Sequence, residues 1–148
     1  MNEITDLQII LRLILSVLLS SLIGFEREIR RRSAGLRTHI LVGLSSCLLM
    51  LVSVHVATTF GRDGSADAGR IAAGAVTGIG ILCAGTIMRF SASVKGLTTA
   101  ASLWAVAALG LSVGIGFYTA ACMTTALILI TLLILTRFEQ NFSKAKND

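Results

Sequence analysis

The stretch THILVGLSSCLLMLVSVHVAT, residues 38–58, decides the class of fold. None of its 21 residues is Asp, Glu, Lys or Arg, and about 20 apolar residues suffice for a helix to cross the hydrocarbon core of a bilayer. In the whole chain of 148 residues, 54% are apolar and only 14% are charged, against roughly 25% in an ordinary soluble domain. A soluble protein of this size cannot bury so much apolar surface, so we expect an integral membrane protein.

Four other apolar runs surround this stretch along the chain. They cover residues 7–25, 70–88, 97–115 and 117–136. Together the five runs predict an all-α membrane protein with five transmembrane helices, in which residues 1–148 form one transmembrane domain and leave no room for a soluble one. The first run is not expected to be a cleaved signal peptide, because acidic residues precede it and a charged cluster follows it.

Basic residues predict how the chain is oriented. Ten of the thirteen Lys and Arg residues fall where five helices would place one side of the membrane: five in the first loop, two in the third loop and three in the tail. Loops rich in Lys and Arg stay on the cytoplasmic side. The N-terminus is therefore expected outside and the C-terminus in the cytoplasm. Membrane orientation accounts for the net charge of +5, and no basic face alternates with aromatic residues as nucleic-acid binding would require.

Small residues form a packing signal in the third run. Gly74 and Gly78 are spaced as GxxxG, and Gly85 continues the same face. In lipid, small residues let helix backbones approach closely, so we expect the third helix to lie centrally with neighbours on both sides. Two uses of the glycine face stay open, namely packing within one chain and contact between two copies in a homodimer.

Polar residues form a stripe on the first helix. Arg12, Ser16, Ser20 and Gly24 recur every four residues and therefore share one face. An arginine at mid-membrane costs about 2.5–3.5 kcal/mol on insertion scales. Arg12 lies near the outer edge and either extends to the membrane surface or pairs with Asp67. In the second case, Arg12, Asp67 and Arg70 would form a cleft suited to an anionic group.

Several residues lie at predicted helix ends. An ion pair between Glu26 and Arg37 would fix the first loop, Thr38 could cap the second helix, and Asp67 could cap the third. Thr98 and Thr99 begin the fourth helix beside the charges of the third loop. Each of these residues is either a structural cap or part of a surface that binds a partner.

Catalysis and metal binding find little support in the residue pattern. Ser45 is six and ten residues from His39 and His55 on one helix, a spacing that puts neither histidine on its face. The three cysteines lie in apolar runs without CxxC spacing, so neither a disulfide nor a zinc site is expected. All eight acidic residues lie at or beyond predicted helix ends, which argues against magnesium transport because magnesium prefers carboxylate ligands. We therefore predict no enzyme activity, cofactor or metal site.

Three stretches together resemble a known family. They are GFERE at 24–28 continuing to AGLRT at 34–38, DAGRIAA at 67–73 continuing to TGIGILCAG at 77–85, and VKGLTTAASLW at 94–104. Their order and spacing resemble the MgtC/SapB family of bacterial inner-membrane proteins over nearly the whole chain. The chain departs from the family pattern at Ala68, where proline is common, and at Cys83, where glycine is common. It ends at Asp148 soon after the fifth run, like the short SapB-like form without the soluble cytoplasmic domain, or like a truncated piece.

The resemblance implies a function as well as a fold. It implies a multi-pass protein of the bacterial inner (plasma) membrane, linked to magnesium-limited growth and, in pathogens, to virulence. We expect such a protein to act by binding another inner-membrane protein or membrane lipid, with transport of magnesium or another cation as the alternative. The candidate functional surface comprises Arg12, Glu26, Arg27, Arg37, Thr38, Asp67, Arg70, Cys83, Thr98, Thr99 and Trp104.

Overall fold

A computed structural model describes residues 4–61, 67–90 and 93–145. Its elements are α1 (Asp6–Ile29), α2 (Leu36–Phe60), α3 (Ala68–Gly85), β1 (Met88–Phe90), β2 (Ser93–Lys95), α4 (Leu97–Ile115) and α5 (Tyr118–Ala145). The five predicted helices are confirmed. Part of the predicted second loop, residues 62–66, lies outside the described residues.

Four of the helices can cross a membrane by length and composition. These four are α1 to α4, which contain 24, 25, 18 and 19 residues. At about 1.5 Å per residue, such helices cover most or all of a hydrocarbon core of about 30 Å. The described apolar part of α5, Tyr118–Ile134, is shorter than these four helices. The protein is therefore a membrane protein, and the side on which each terminus lies stays a prediction.

The segment between α3 and α4 differs from the prediction. The third run was expected to be helical to residue 88, but α3 ends at Gly85 and Met88 begins an antiparallel hairpin in which it pairs with Lys95. The hairpin leads into Gly96, whose φ of 91° is left-handed, and Gly116 ends α4 with a φ of 94°. Glycine adopts this conformation without the steric penalty that other residues have. Both ends of α4 therefore depend on glycine.

Side chains from neighbouring segments determine where α2 and α3 begin. The Asp67 carboxylate accepts a 2.7 Å hydrogen bond from the Gly69 amide, so the predicted cap of α3 is confirmed. The predicted cap of α2 is wrong, because α2 begins at Leu36 and Thr38 already lies in its first turn. Instead, Glu28 at the end of α1 accepts a 3.0 Å hydrogen bond from the Leu36 amide. A carboxylate is well suited to the free amides at a helix N-terminus.

Close contact between helix backbones occurs in the centre of the bundle, where α2 packs against α1 and α4. A Cβ atom on Gly110 would collide with the carbonyl oxygen of Gly43. A Cβ atom on Gly114 would lie 2.6 Å from the Met50 Cβ and 2.7 Å from the Cys47 carbonyl oxygen. These glycines therefore allow α2 and α4 to approach closely, as small residues do in membrane bundles.

The expected central position of α3 is wrong within a single chain. Cys83 is its one buried residue, and the Cys83 thiol donates a 3.2 Å hydrogen bond to the Ala100 carbonyl of α4. In the part of the chain that the structure describes, no atom beyond the local helix backbone lies within 4 Å of the position that a Cβ would occupy on Gly74, Gly78 or Gly85. Backbone approach within the bundle uses glycines of other helices, which leaves the glycine face of α3 open.

Candidate functional site

The polar stripe of α1 faces the interior of the bundle. Ser16 and Ser20 have no exposed surface, and Gly24 is buried as well. Ser20 lies against Gly43, where any side chain would collide with its hydroxyl. The Ser20 hydroxyl has no hydrogen-bond partner among the described residues, and the Ser16 hydroxyl has none there except the Cys47 thiol. A buried hydroxyl without a partner costs about 1–3 kcal/mol. With Arg12, the two serines form a polar seam, which is unusual inside an apolar bundle.

Arg12 lies at one end of this seam, but its partners differ from those predicted. Its Nη1 donates a 2.7 Å hydrogen bond to the Gly114 carbonyl, and its Nε donates a 3.0 Å hydrogen bond to the Tyr118 hydroxyl. Asp67, the expected partner, instead caps α3, and Arg70 is exposed. The predicted cleft is therefore wrong. The last carbonyls of α4 have no partners within the helix, and a cation at a helix C-terminus also gains from the helix dipole.

At the opposite end of α1, Glu26 forms ion pairs with two arginines. The Arg27 Nε lies 2.5 Å from the Glu26 carboxylate, and Arg30 pairs with the other oxygen of that carboxylate. Arg27 is only 1% exposed. The predicted pair between Glu26 and Arg37 is wrong, because Arg37 is exposed while Arg30 lies one helical turn from Glu26. A buried arginine needs such a partner, since an unpaired buried charge is strongly destabilising.

His39 connects α2 with α4. Its side chain has no exposed surface. Its Nδ1 lies 2.8 Å from the Gly35 carbonyl oxygen and its Nε2 lies 3.1 Å from the Ser102 hydroxyl. A carbonyl only accepts hydrogen bonds, so Nδ1 carries the proton in this contact. The Ser102 hydroxyl also lies 2.9 Å from the Thr99 carbonyl oxygen, and because it has one proton, it donates to either His39 Nε2 or this carbonyl at any moment.

Sequence reasoning missed the contact between His39 and Ser102. It compared His39 with serines of its own helix, but Ser45 is exposed, and the serine in contact comes from α4. The available signal was a histidine inside an otherwise apolar run, because a buried imidazole needs hydrogen-bond partners.

The other predicted site residues divide between the interior and the surface. Thr99 is buried, and its hydroxyl accepts a 3.3 Å hydrogen bond from Ser33 of the first loop. Cys83 is buried, whereas Thr98 and Trp104 are exposed. The first loop, the end of α1 and the starts of α2 and α4 are therefore brought together, while Arg12, Asp67 and Arg70 are not. In the described ranges no group of three or more His, Cys, Asp or Glu side chains could hold a metal ion.

These features define a class of protein: a multi-pass helical membrane protein with a buried polar seam that ends in a Glu–Arg cluster. The chain belongs to the MgtC family, whose model matches residues 13–141.

Three relatives illustrate the similarity. MgtC of Salmonella typhimurium strain 14028s is 43% identical over 91% of this chain and 55% of its own length. YhiD of Escherichia coli K12 is 42% identical over 90% of this chain and 61% of its own length. SapB of Bacillus subtilis strain 168 is 39% identical over 86% of this chain and 56% of its own length. The chain thus spans little more than half the length of these relatives. No solved structure matches it.

Proposed function

We propose that this chain is a non-enzymatic protein of the bacterial inner membrane that binds a transmembrane helix of another membrane protein through α3. The observation that carries the proposal is the glycine face of α3, defined by Gly74, Gly78 and Gly85. Among the described residues, nothing packs against this face: a Cβ atom at any of these three glycines, or at Gly80, would have no atom beyond the local helix backbone within 4 Å.

A helix is a more suitable occupant of such a face than a lipid chain. A glycine inside a helix costs about 0.5–1 kcal/mol relative to alanine. A glycine face offers a lipid chain no particular advantage, because lipid chains pack equally well against larger side chains. A second helix gains close backbone contact, which is the main source of helix association in membranes.

Photocrosslinking in cells tests this proposal. A photoreactive residue at Thr77, exposed beside Gly78, should give a discrete adduct with another membrane protein, whereas the same residue at Leu48, exposed on α2, should give none. Gly78→Leu should abolish the Thr77 adduct. Equal adducts at both positions would contradict the proposal, and an adduct with a second copy would replace the partner by a homodimer.

The biological setting is proposed from the relatives and from the resemblance. MgtC and SapB are the names of two relatives, and the name of YhiD proposes magnesium transport. We propose a role in growth at low magnesium and, in a pathogen, in virulence. Loss of growth at low magnesium in cells carrying Gly78→Leu, at unchanged protein level, would support a role that depends on the partner.

Cation transport is the second candidate, which the buried hydroxyls of Ser16 and Ser20 favour. Backbone carbonyls and hydroxyls can line a hydrated path through a protein. Magnesium flux into liposomes that contain the purified chain tests this candidate. Flux that falls when both serines are replaced by alanine would favour transport over partner binding, and absence of flux above empty liposomes would exclude it.

The proposed orientation places the first loop in the cytoplasm because that loop contains five arginines. Reporter fusions at the C-terminus should then be active on the cytoplasmic side. A reporter that is active only outside would overturn this orientation.

A further inference from the structure

A groove of about 430 Å³ lies between α1 and α5. Leu22, Phe25 and Ile29 of α1 form one wall, and Leu129 and Leu133 of α5 form the other. This volume lies in the range of small-molecule sites, about 300–1,000 Å³. The part of α1 that lines the groove is about 10–12 Å long at 1.5 Å per residue, which suits part of an extended acyl chain.

The groove has a charged end. Glu26 and Arg30, from the last turns of α1, complete its lining. Glu26 pairs with both Arg27 and Arg30, so one carboxylate faces two guanidinium groups and the cluster has a net positive charge. The Arg30 side chain, which lines the groove, remains 22% exposed.

The chain that follows adds positive charge at this end. Arg31 and Arg32 continue directly from Arg30, and both are exposed. Basic residues between or beside transmembrane helices attract anionic headgroups, with an effect of about fivefold in binding per residue. The groove therefore combines apolar walls with a positive end, an arrangement complementary to an acyl chain attached to a phosphodiester.

We propose that this groove binds an anionic phospholipid, with one acyl chain between α1 and α5 and the phosphate beside Arg30 and Arg31. The site is separate from the glycine face of α3, and the proposal does not depend on partner binding there. Any bilayer lipid can fill an apolar groove, so the specific content of the proposal is selection for a negatively charged headgroup.

Native mass spectrometry of the full chain tests the selection. The protein is reconstituted in bilayers of equal phosphatidylglycerol and phosphatidylethanolamine and then released with its bound lipid. Phosphatidylglycerol should be retained in several-fold excess. Arg30→Gln should lower that excess about fivefold, and Arg30→Lys should restore most of it. The matched control is Arg70→Gln, an exposed arginine at the start of α3, which should leave the excess unchanged.

A second variant tests the groove itself. Leu133→Trp should fill the space between α1 and α5 and reduce retention of both lipids, whereas Leu48→Trp on the exposed surface of α2 should not. Glycerol phosphate, which has the headgroup charge without acyl chains, should not compete with phosphatidylglycerol. Any one of three results would overturn the proposal. These are equal retention of the two lipids by the parent, equal effects of Arg30→Gln and Arg70→Gln, and full competition by glycerol phosphate.

Discussion

The Arg12 guanidinium donates a 2.7 Å hydrogen bond to the carbonyl oxygen of Gly114, so a side chain of α1 satisfies the C-terminal end of α4. The same group donates to the Tyr118 hydroxyl of α5, whose ring centroid lies 5.9 Å from the Arg12 Cζ. One arginine thus connects three helices. The free-energy cost of placing the Arg12 charge in the membrane is offset by hydrogen-bond acceptors at a helix C-terminus, where a positive charge is favourable.

Arg12 is therefore expected to couple to Tyr118 and not to Asp67. Arg12→Leu should destabilise the protein by about 2 kcal/mol, because hydrogen bonds from a charged donor are lost. In thermal unfolding of the detergent-solubilised protein, a double-mutant cycle with Tyr118→Phe should show a coupling of at least about 0.5 kcal/mol. The matched cycle with Asp67→Ala should be additive. Coupling between Arg12 and Asp67 instead would contradict this expectation and support the cleft predicted from the sequence.

Glycines on different helices should respond differently to enlargement. Gly110→Leu places a large side chain against the Gly43 carbonyl and should destabilise the fold by at least about 1–3 kcal/mol, because overpacking forces the helices apart. Gly78→Leu places the same side chain in open space and should unfold in detergent at nearly the temperature of the parent. If Gly78→Leu were the more damaging of the two, α3 would be packed inside the bundle after all.

Loss of the Glu26 carboxylate should be among the most damaging single changes. Glu26→Gln leaves the buried Arg27 without a charged partner, and breaking a buried ion pair costs about 3–5 kcal/mol. Glu28→Gln is the matched control, since Glu28 is exposed and caps the start of α2, where a lost cap costs about 1 kcal/mol. Unfolding temperatures of both variants measure the difference. Similar losses would show that the Glu26 cluster contributes no more than an ordinary cap.

The contact between His39 and Ser102 should stabilise the packing of α2 against α4. Ser102→Ala leaves the buried His39 Nε2 without its partner and should cost about 1–3 kcal/mol. Replacing His39 by Phe should remove most of the additional loss caused by Ser102→Ala, because no imidazole then remains unsatisfied. Unfolding of the two single variants and the double variant measures this. Additive losses would mean that the two side chains contribute independently.

Among the predictions that concerned residues within one helix, the stripe on α1 and the cap of α3 hold, whereas the Thr38 cap of α2 does not. The four-residue spacing of Ser16, Ser20 and Gly24 predicts one shared face, and the three residues are indeed buried together. Asp67 was predicted to cap α3 and does so. A cap or a stripe depends on residues within about one turn of one another, and that information is present in the local order of the chain.

Predictions that needed contacts between helices were less successful. The sequence placed Arg12, Glu26 and His39 on their helices, but it did not predict which residues they contact. Their partners are Gly114, Arg30 and Ser102, respectively. Partners of this kind depend on which helices are neighbours and on how closely they approach. Gly110 and Gly114 have the same GxxxG spacing as Gly74 and Gly78. The first pair lies between α2 and α4, whereas the second lies open on α3.

The sequence by itself therefore determined the class of protein, the number of helices, the residues that share a helix face and the family. Apolar length and helical periodicity are properties of single segments, so they can be read without a fold. Only the tertiary structure decided that α2 and α4 form the centre, that Arg12 binds the end of α4, and that the glycine face of α3 stays open. These outcomes depend on the sum of many backbone contacts between distant segments, which no single segment encodes.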